Sequence, residues 1–383
     1  MFYTIPDYYE EFRCIAGECE DTCCAGWQIV ADEKSLEEYR QETGAYSAKL
    51  QQSVDWQNHT FRQDAEKRCA FLTEDNLCEM YQNLGADKLC RTCREYPRHT
   101  EEFEDVREIS LSLSCPEAAR LVLNKKEPVC FLTKERDGEE EFDGFDPFLY
   151  SKLTEGRQLI FEILQNRNLP MENRVILMLG LAFNMQTRVK GGHLFGCDEV
   201  FQKYRQQVHF SEAGRRAERW RRDFPRQMRF ARKMFGNLRK LELLREDWER
   251  LLKETRVYLF GKGRRRYAQL TTDFRLWLYK DAPFDWNIVC EQLLVYYIYT
   301  YFCGAVYDEK IFVNAQMAAA NVAVIWHLLA ARWEKNEHTL DMEDVTEIVY
   351  RFSREVEHSE ENLRIMWEML EKEEKWFGTG RAR

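Results

Sequence analysis

The chain has 383 residues, enough for two domains of ordinary size and too many for a minimal one. With 44% hydrophobic and 14% aromatic residues, its composition excludes disorder as the bulk state. A formal net charge of −10 favours solubility and gives no overall reason to expect nucleic acid as a ligand.

The opening "MFYTIPDYYEEFRC" carries Pro6 and acidic residues where a signal peptide needs a basic end and an apolar run. No stretch reaches the roughly 18 clean apolar residues of a membrane span. The nearest, "LLVYYIYTYFCGAVY" (293–307), is short and rich in tyrosine and reads as a buried helix. The expectation is a soluble, cytoplasmic chain with no membrane contact.

Next comes "RCIAGECEDTCCAGWQ" (13–28), with Cys14, Cys19, Cys23 and Cys24. "RCAFLTEDNLCEMYQNLGADKLCRTCREYPR" follows with Cys69, Cys78, Cys90 and Cys93, then "LSCPEAA" with Cys115. In a reducing compartment such density points to metal ligands or redox thiols rather than structural disulfides. The remaining cysteines, Cys130, Cys197, Cys290 and Cys303, lack ligand-spaced partners and read as small buried hydrophobes.

The charged segment 124–147, with Gly138, Gly144 and Pro147, reads as a surface connector. Beyond it the pattern turns helical. Segments 150–167 and 171–189 form a pair broken by Pro170, and 284–308 and 314–333 read as core helices. Asp341 is placed to cap a helix whose Val345, Ile348, Val349, Phe352 and Val356 share one face, and 362–377 repeats the style. No strand–helix alternation with a glycine-rich first turn appears, which argues against a Rossmann-type sheet. The expected fold is mainly α: a cysteine-rich, metal-centred N-terminal region (1–130) packed on an α-helical C-terminal region (148–383).

Thiolates are soft ligands that suit zinc, copper(I) or iron–sulfur clusters. Only Cys90 and Cys93 show the C-x2-C spacing of a zinc knuckle, and the first group runs C-x4-C-x3-C-C. Adjacent Cys23 and Cys24 can hardly both face one small tetrahedral ion without strain; they could serve two centres, or one larger cluster plus something else. The residues alone leave zinc and iron–sulfur open. His99 lies near Cys93 in sequence; the other histidines show no ligand spacing.

Taken together, "FRCIAGECEDTCCAGW", "CAFLTEDNLCEMY", "CRTCREYPR" and "SLSCPEAARL" resemble the flagellin lysine-N-methylase family. That family lies within a broader group carrying a CxxCxxCC-type zinc- or iron-chelating domain. "EQLLVYYIYTYFCGAVYD" resembles the family's aromatic C-terminal helix, a weaker match because it is mostly apolar. The resemblance implies chelation by Cys14, Cys19, Cys23, Cys24, Cys69, Cys78, Cys93 and Cys115, with Arg94, Tyr96 and Pro97 matching its CRxYP element. Cys90 falls outside that pattern, and the first group is spaced more widely than the CxxCxxCC label. The resemblance further implies S-adenosylmethionine as donor, an iron–sulfur centre (4Fe–4S, with zinc the alternative), and flagellin lysines as acceptors.

Polar methyl transfer from a sulfonium to an amine needs positioning and a deprotonated lysine, and no cluster. The C-x3-C-x2-C triad of radical chemistry fails because Gly26 stands where its third cysteine belongs. No glycine-rich donor loop appears: "LFGKGRRRY" (259–267) and "FGTGRAR" (377–383) hold isolated glycines. The catalytic base is unassigned, with Asp21 and Tyr96 candidates beside the expected ligands. The rival function is a non-catalytic metal-binding or redox-sensing protein.

Segment 215–240 holds eleven Lys or Arg. Arg222, Arg226, Arg229 and Lys233 are spaced to share one helix face. Such a face would dock an acidic protein or nucleic acid. The plainer reading, a solvated face paired with acids over core aromatics, carries more weight. The sequence gives no oligomeric state.

Overall fold

The computed structural model describes residues 1–135, 137 and 144–372. Gly138, the end of the 362–377 segment and the glycines of 377–383 lie outside the described residues.

The architecture is mainly helical, as expected. Helix Trp286–Tyr301 is buried without interruption from Val289 to Thr300. Helix Ile311–Lys335 is buried over most of its length. Both are apolar on nearly every side, which suits helices enclosed by other helices. Ile311–Lys335 is also long and apolar enough to cross a membrane, but its surface is covered by the protein itself. Helices Met171–Lys190 and Glu246–Phe260 pack on it, and Pro147–Leu164 packs on Trp286–Tyr301.

Helix Met342–Glu357 starts in a capping box, with the Asp341 and Asp344 side chains each accepting from the other's backbone N–H. Its predicted apolar face, Val345, Ile348, Val349, Phe352 and Val356, is fully buried. Each such side chain contributes about 1.5–3 kcal/mol by leaving water.

A four-stranded sheet was not anticipated. The strands in chain order are β1 (Phe2–Pro6), β2 (Val54–Asp55), β3 (Thr60–Phe61), β4 (Arg98–Phe103), β5 (Val106–Leu111) and β6 (Phe131–Glu135). The sheet runs β4-β5-β1-β6, with β1 parallel to β5 and antiparallel to β6; β2 and β3 pair separately. β6 thus lies inside the segment read as a surface connector.

The sheet rests on the helices. Phe131 stacks between Phe161 and Tyr299, at 4.8 and 4.3 Å. The Tyr299 hydroxyl donates to the Thr4 carbonyl at 2.7 Å. Arg157 of helix Pro147–Leu164 forms a buried two-pronged ion pair with Glu108 of β5.

Two apolar cores result. The large one joins the helices to the sheet region and takes in Tyr8, Phe12, Phe103, Leu111 and Ala118. The small one lies within 29–93, around Leu36, Tyr39, Leu50, Phe61, Phe71 and Met80.

Because Glu108 and Arg157 are both buried, removing one strands the other without a counter-charge. Glu108→Gln is expected to cost about 3–5 kcal/mol, read as a fall in urea midpoint at unchanged slope. The double variant Glu108→Leu/Arg157→Met should recover most of that loss.

Candidate functional site

All thirteen cysteines are free thiols. Cys197, Cys290 and Cys303 are buried, as expected of small hydrophobes, whereas Cys130, just before β6, is exposed and departs from that expectation.

The nine N-terminal cysteines fall into two neighbourhoods. Cys69 and Cys90 are buried in the small core, and Cys24, Cys78 and Cys93 pack against it. The backbone binds this group: the Cys69 N–H donates to the Cys24 carbonyl at 2.8 Å, and Leu72 bridges to Cys78. The second group is Cys14, Cys19, Cys23 and Cys115. Cys23 hydrogen-bonds to the Cys24 thiol and also feels those of Cys14 and Cys115, and Cys115 feels those of Cys19 and Cys14. Cys115 sits in the large core at the start of helix Pro116–Asn124. The adjacent Cys23 and Cys24 hydrogen-bond thiol to thiol and so join the two groups. Among the described residues, no group of three or more His, Cys, Asp or Glu is arranged to hold a metal ion.

The donor set nevertheless fits a thiolate centre chemically. The Ala16 N–H donates to Cys14 Sγ at 3.4 Å. Burial pushes the thiols of Cys69 (to about 12), Cys78 and Cys115 (to about 11) up, while backbone N–H groups pull each of them back toward thiolate. Those donors are Phe71 for Cys69, Tyr81 and Met80 for Cys78, and Ala118 and Glu117 for Cys115. Cys78, Cys90 and Cys115 each precede the first turn of a helix, where amides are free to do this. A thiol hydrogen bond from Cys23 holds Cys24 down to about 7, and Cys93 likewise lowers Cys90. Cys90, outside the resembled pattern, is thus beside Cys93 and fully buried.

The cysteine loops are clamped to the C-terminal helices by one side chain. Arg354, 1% exposed on helix Met342–Glu357, pairs with Asp21 Oδ1 at 2.5 Å. It donates to the carbonyls of Asp21 at 2.9 Å and Ser114 at 3.2 Å, so it grips the residues beside Cys23 and Cys115 together. Its guanidinium lies 5.0 Å from the Trp27 ring centre. Asp21 accepts a second guanidinium, from Arg245, at 2.7 Å. Gly26 turns the loop at φ +97°, and a Cβ there would press on the Arg245 side chain at 3.3 Å. Asp21 is therefore an ion-pair anchor. Tyr96 packs rather than titrates: burial pushes its phenol up, and its hydroxyl lies 3.1 Å from Ser114 Oγ.

Three rings meet beside this clamp. His358 lies 4.2 Å from Trp27 and 5.5 Å from Tyr96, ring centre to ring centre. Burial, with Arg354 nearby, lowers the His358 imidazole to about 3, and its Nε2 is buried with no hydrogen-bond partner. The preceding residue, Glu357, accepts from the hydroxyls of Tyr296 at 2.8 Å and Tyr301 at 2.6 Å, and from Ser353. Burial pushes its carboxyl up against those hydroxyls. His99 turns instead to Glu101, at 2.6 Å, with its ring 6.1 Å from Tyr301.

The basic segment is not one positive face. The helix breaks at Asp223: Arg222 ends helix Phe210–Arg222, and Arg226, Arg229 and Lys233 belong to Phe224–Leu238, which has Pro225 in its first turn. Arg215, Arg216 and Arg219 pair with Glu212, and Arg221 and Arg222 with Glu218. Phe230 and Phe235 are in the core.

Fold and site define a helical protein whose C-terminal helices hold a thiol-rich, ring-lined junction in place. Residues 157–382 match the FliB lysine N-methylase C-terminal domain, and the chain belongs to that family. It is 31% identical over 129 residues to the flagellar biosynthetic protein FliU of Salmonella muenchen, covering 32% of this chain and 76% of that protein. It is 29% identical over 139 residues to lysine-N-methylases of Salmonella typhimurium and Salmonella choleraesuis, covering 34% of this chain and 35% of each. The matched part thus spans about a third of the length of those two enzymes. No solved structure matches.

Two outcomes follow from the clamp. Arg354→Met leaves Asp21 with one cation and removes the charge over Trp27; it is expected to cost about 3–5 kcal/mol and to speed proteolysis within 13–28 first. Arg354→Lys should not restore protection, because an ammonium cannot reach a carboxylate and two carbonyls at once. Proteolysis unchanged in both variants would contradict the clamp.

Glu355, 2% exposed, accepts from the N–H groups of Leu244 at 3.0 Å and Arg245 at 2.8 Å. Burial raises its carboxyl from 4.5 to about 7. The stability linked to its neutral form is complete below pH 4.5 and lost as pH rises through 7. Glu355→Gln should remove a slope of up to about 1.4 kcal/mol per pH unit in that window, measured by urea melts at stepped pH.

Proposed function

We propose that this chain is a protein-lysine N-methyltransferase acting in the cytoplasm, with S-adenosylmethionine as donor and flagellin lysines as acceptors. The family match across 157–382 carries the reading, because the matched region supplies the arginine that grips the cysteine loops. The names of the relatives, a lysine-N-methylase and a flagellar biosynthetic protein, support the reaction and a flagellar substrate.

In this reading Cys14, Cys19, Cys23 and Cys115 hold one metal centre. Cys24, Cys69, Cys78 and Cys93 hold another, with Cys90 beside them. The soft, amide-supported sulfurs favour an iron–sulfur cluster, 4Fe–4S in type, with zinc the alternative. A cluster supplies a redox-active or Lewis-acidic iron site, whereas zinc supplies folding energy.

The reaction is assigned to the junction. A lysine ammonium must lose its proton before it attacks a sulfonium, since its ordinary pKa is about 10.4. The rings of Trp27, Tyr96 and His358 give an apolar wall that favours the neutral amine. Glu357, its carboxyl already pushed up, is the acceptor for the released proton. Tyr296 and Tyr301 hold that carboxylate in one orientation. The remaining demand is in-line placement of donor and amine.

The test is incubation of the full chain with flagellin and methyl-labelled S-adenosylmethionine, followed by peptide mass analysis. Label on lysine is expected, with kcat for Glu357→Gln lower by about 100-fold and donor affinity kept. Metal bound with neither donor affinity nor methyl transfer would make this a metal-binding or redox-sensing protein instead.

A further inference from the structure

The helical region encloses a cavity of about 1160 Å³, away from the cysteine loops and unused by the reaction above. Small-molecule sites commonly measure about 300–1,000 Å³, so this one is large enough for an extended ligand. Its floor is apolar, with Leu179, Phe230, Cys290, Leu294 and Val322 all buried. Its mouth carries Leu276, 50% exposed, and Tyr279, 84% exposed, an unusual display of apolar surface on one helix, Gly263–Lys280.

The charges on the wall do not cancel. Glu172 pairs with Arg221 at 3.2 Å, and Glu212 with Arg216 at 3.1 Å. Asp223 accepts from the Arg226 backbone N–H at 3.0 Å as a helix cap. His327 is fully occupied, with Nε2 2.9 Å from the Tyr267 hydroxyl and Nδ1 2.6 Å from the Ala323 carbonyl. Burial lowers its imidazole to about 4, so it stays neutral.

Arg275 is left over. Half-buried on this wall, it lies 5.8 Å from the Trp326 ring centre and has no ion pair or hydrogen bond among the described residues. Burial holds its guanidinium below the usual arginine value, with the Glu172 carboxylate opposing from a distance. Arg221 Nε, also on this wall, is buried without an acceptor. Guanidinium N–H groups set into an apolar wall without an acceptor are costly unless an anion satisfies them.

We propose that this cavity binds an amphiphile with a single anionic head, a long-chain carboxylate, whose head meets Arg275 and whose chain lies along the apolar floor. Arg275 offers a planar fork of donors matched to a carboxylate. The buried apolar floor beside it favours an anion that carries a chain over a small free one. This assignment is independent of methyl transfer.

The test is calorimetric titration of the full chain with dodecanoate below its micelle concentration. Dodecanol and dodecyltrimethylammonium provide neutral and cationic heads on the same tail. One dodecanoate per chain is expected, at least tenfold tighter than either. Arg275→Gln should erase the preference over dodecanol, and Ala319→Trp, which fills the cavity wall, should abolish binding. Should the tryptophan variant fail to fold, Arg275→Gln alone decides. No binding, equal affinity for dodecanol, or full preference retained in Arg275→Gln would overturn the proposal. So would binding of phosphatidylglycerol vesicles without binding of monomeric dodecanoate.

Discussion

Arg354 is the contact on which the cysteine region depends. A guanidinium 1% exposed is costly unless its donors are met. Here the Asp21 carboxylate pairs with its charge, the carbonyls of Asp21 and Ser114 accept from it, and the Trp27 ring lies against it. The acceptors come from two stretches that each carry cysteines, and the donor comes from a helix of the family domain. Arg245 adds a second cation on Asp21, and the buried Glu355 carboxyl ties down the backbone that carries Arg245. The outer rim repeats the device: Arg120 joins Glu20 of the first cysteine loop to Glu343 of the same helix.

The adjacent cysteines link the two thiol neighbourhoods, because the Cys23 and Cys24 thiols hydrogen-bond to each other. Cys24 follows the backbone that pairs with Cys69 and faces the small core. Cys23 is left on the junction side, toward Cys115. The turn at Gly26 returns the chain beneath Arg245, so Trp27 reaches Arg354 and His358. The small core therefore presents one thiol group inward, while the clamp holds the other against the helices.

Much of the helical half was legible. The face Val345–Val356 and its Asp341 cap announce a helix because periodicity and capping are local. The two central helices were legible from length and apolar content despite weak periodicity. The sheet was not. β5 reads V-R-E-I-S-L, but it buries charged Arg107 and Glu108 on its two opposite faces, where charge disguises burial. β6 was hidden in a charged connector because it is an edge strand with most of its side chains in water. Pro225 was the visible sign that the arginines of 222–233 could not share one helix. In the site, cysteine density and the Cys23–Cys24 conflict were legible. Arg354, Glu357 and His358 were not, because Arg354 and His358 act across more than 200 residues of chain, Glu357 across about 60, and none carries a local pattern.

The central claim is that the clamped thiols are metal ligands. The most direct measurement is metal and sulfide analysis of anaerobically purified protein, with an X-ray absorption spectrum at the metal edge. The account predicts metal in a shell of sulfur alone, as iron with matching sulfide and a broad visible band, or as zinc without sulfide. Protein that retains no metal under those conditions, with all nine N-terminal thiols open to alkylation while folded, would contradict it.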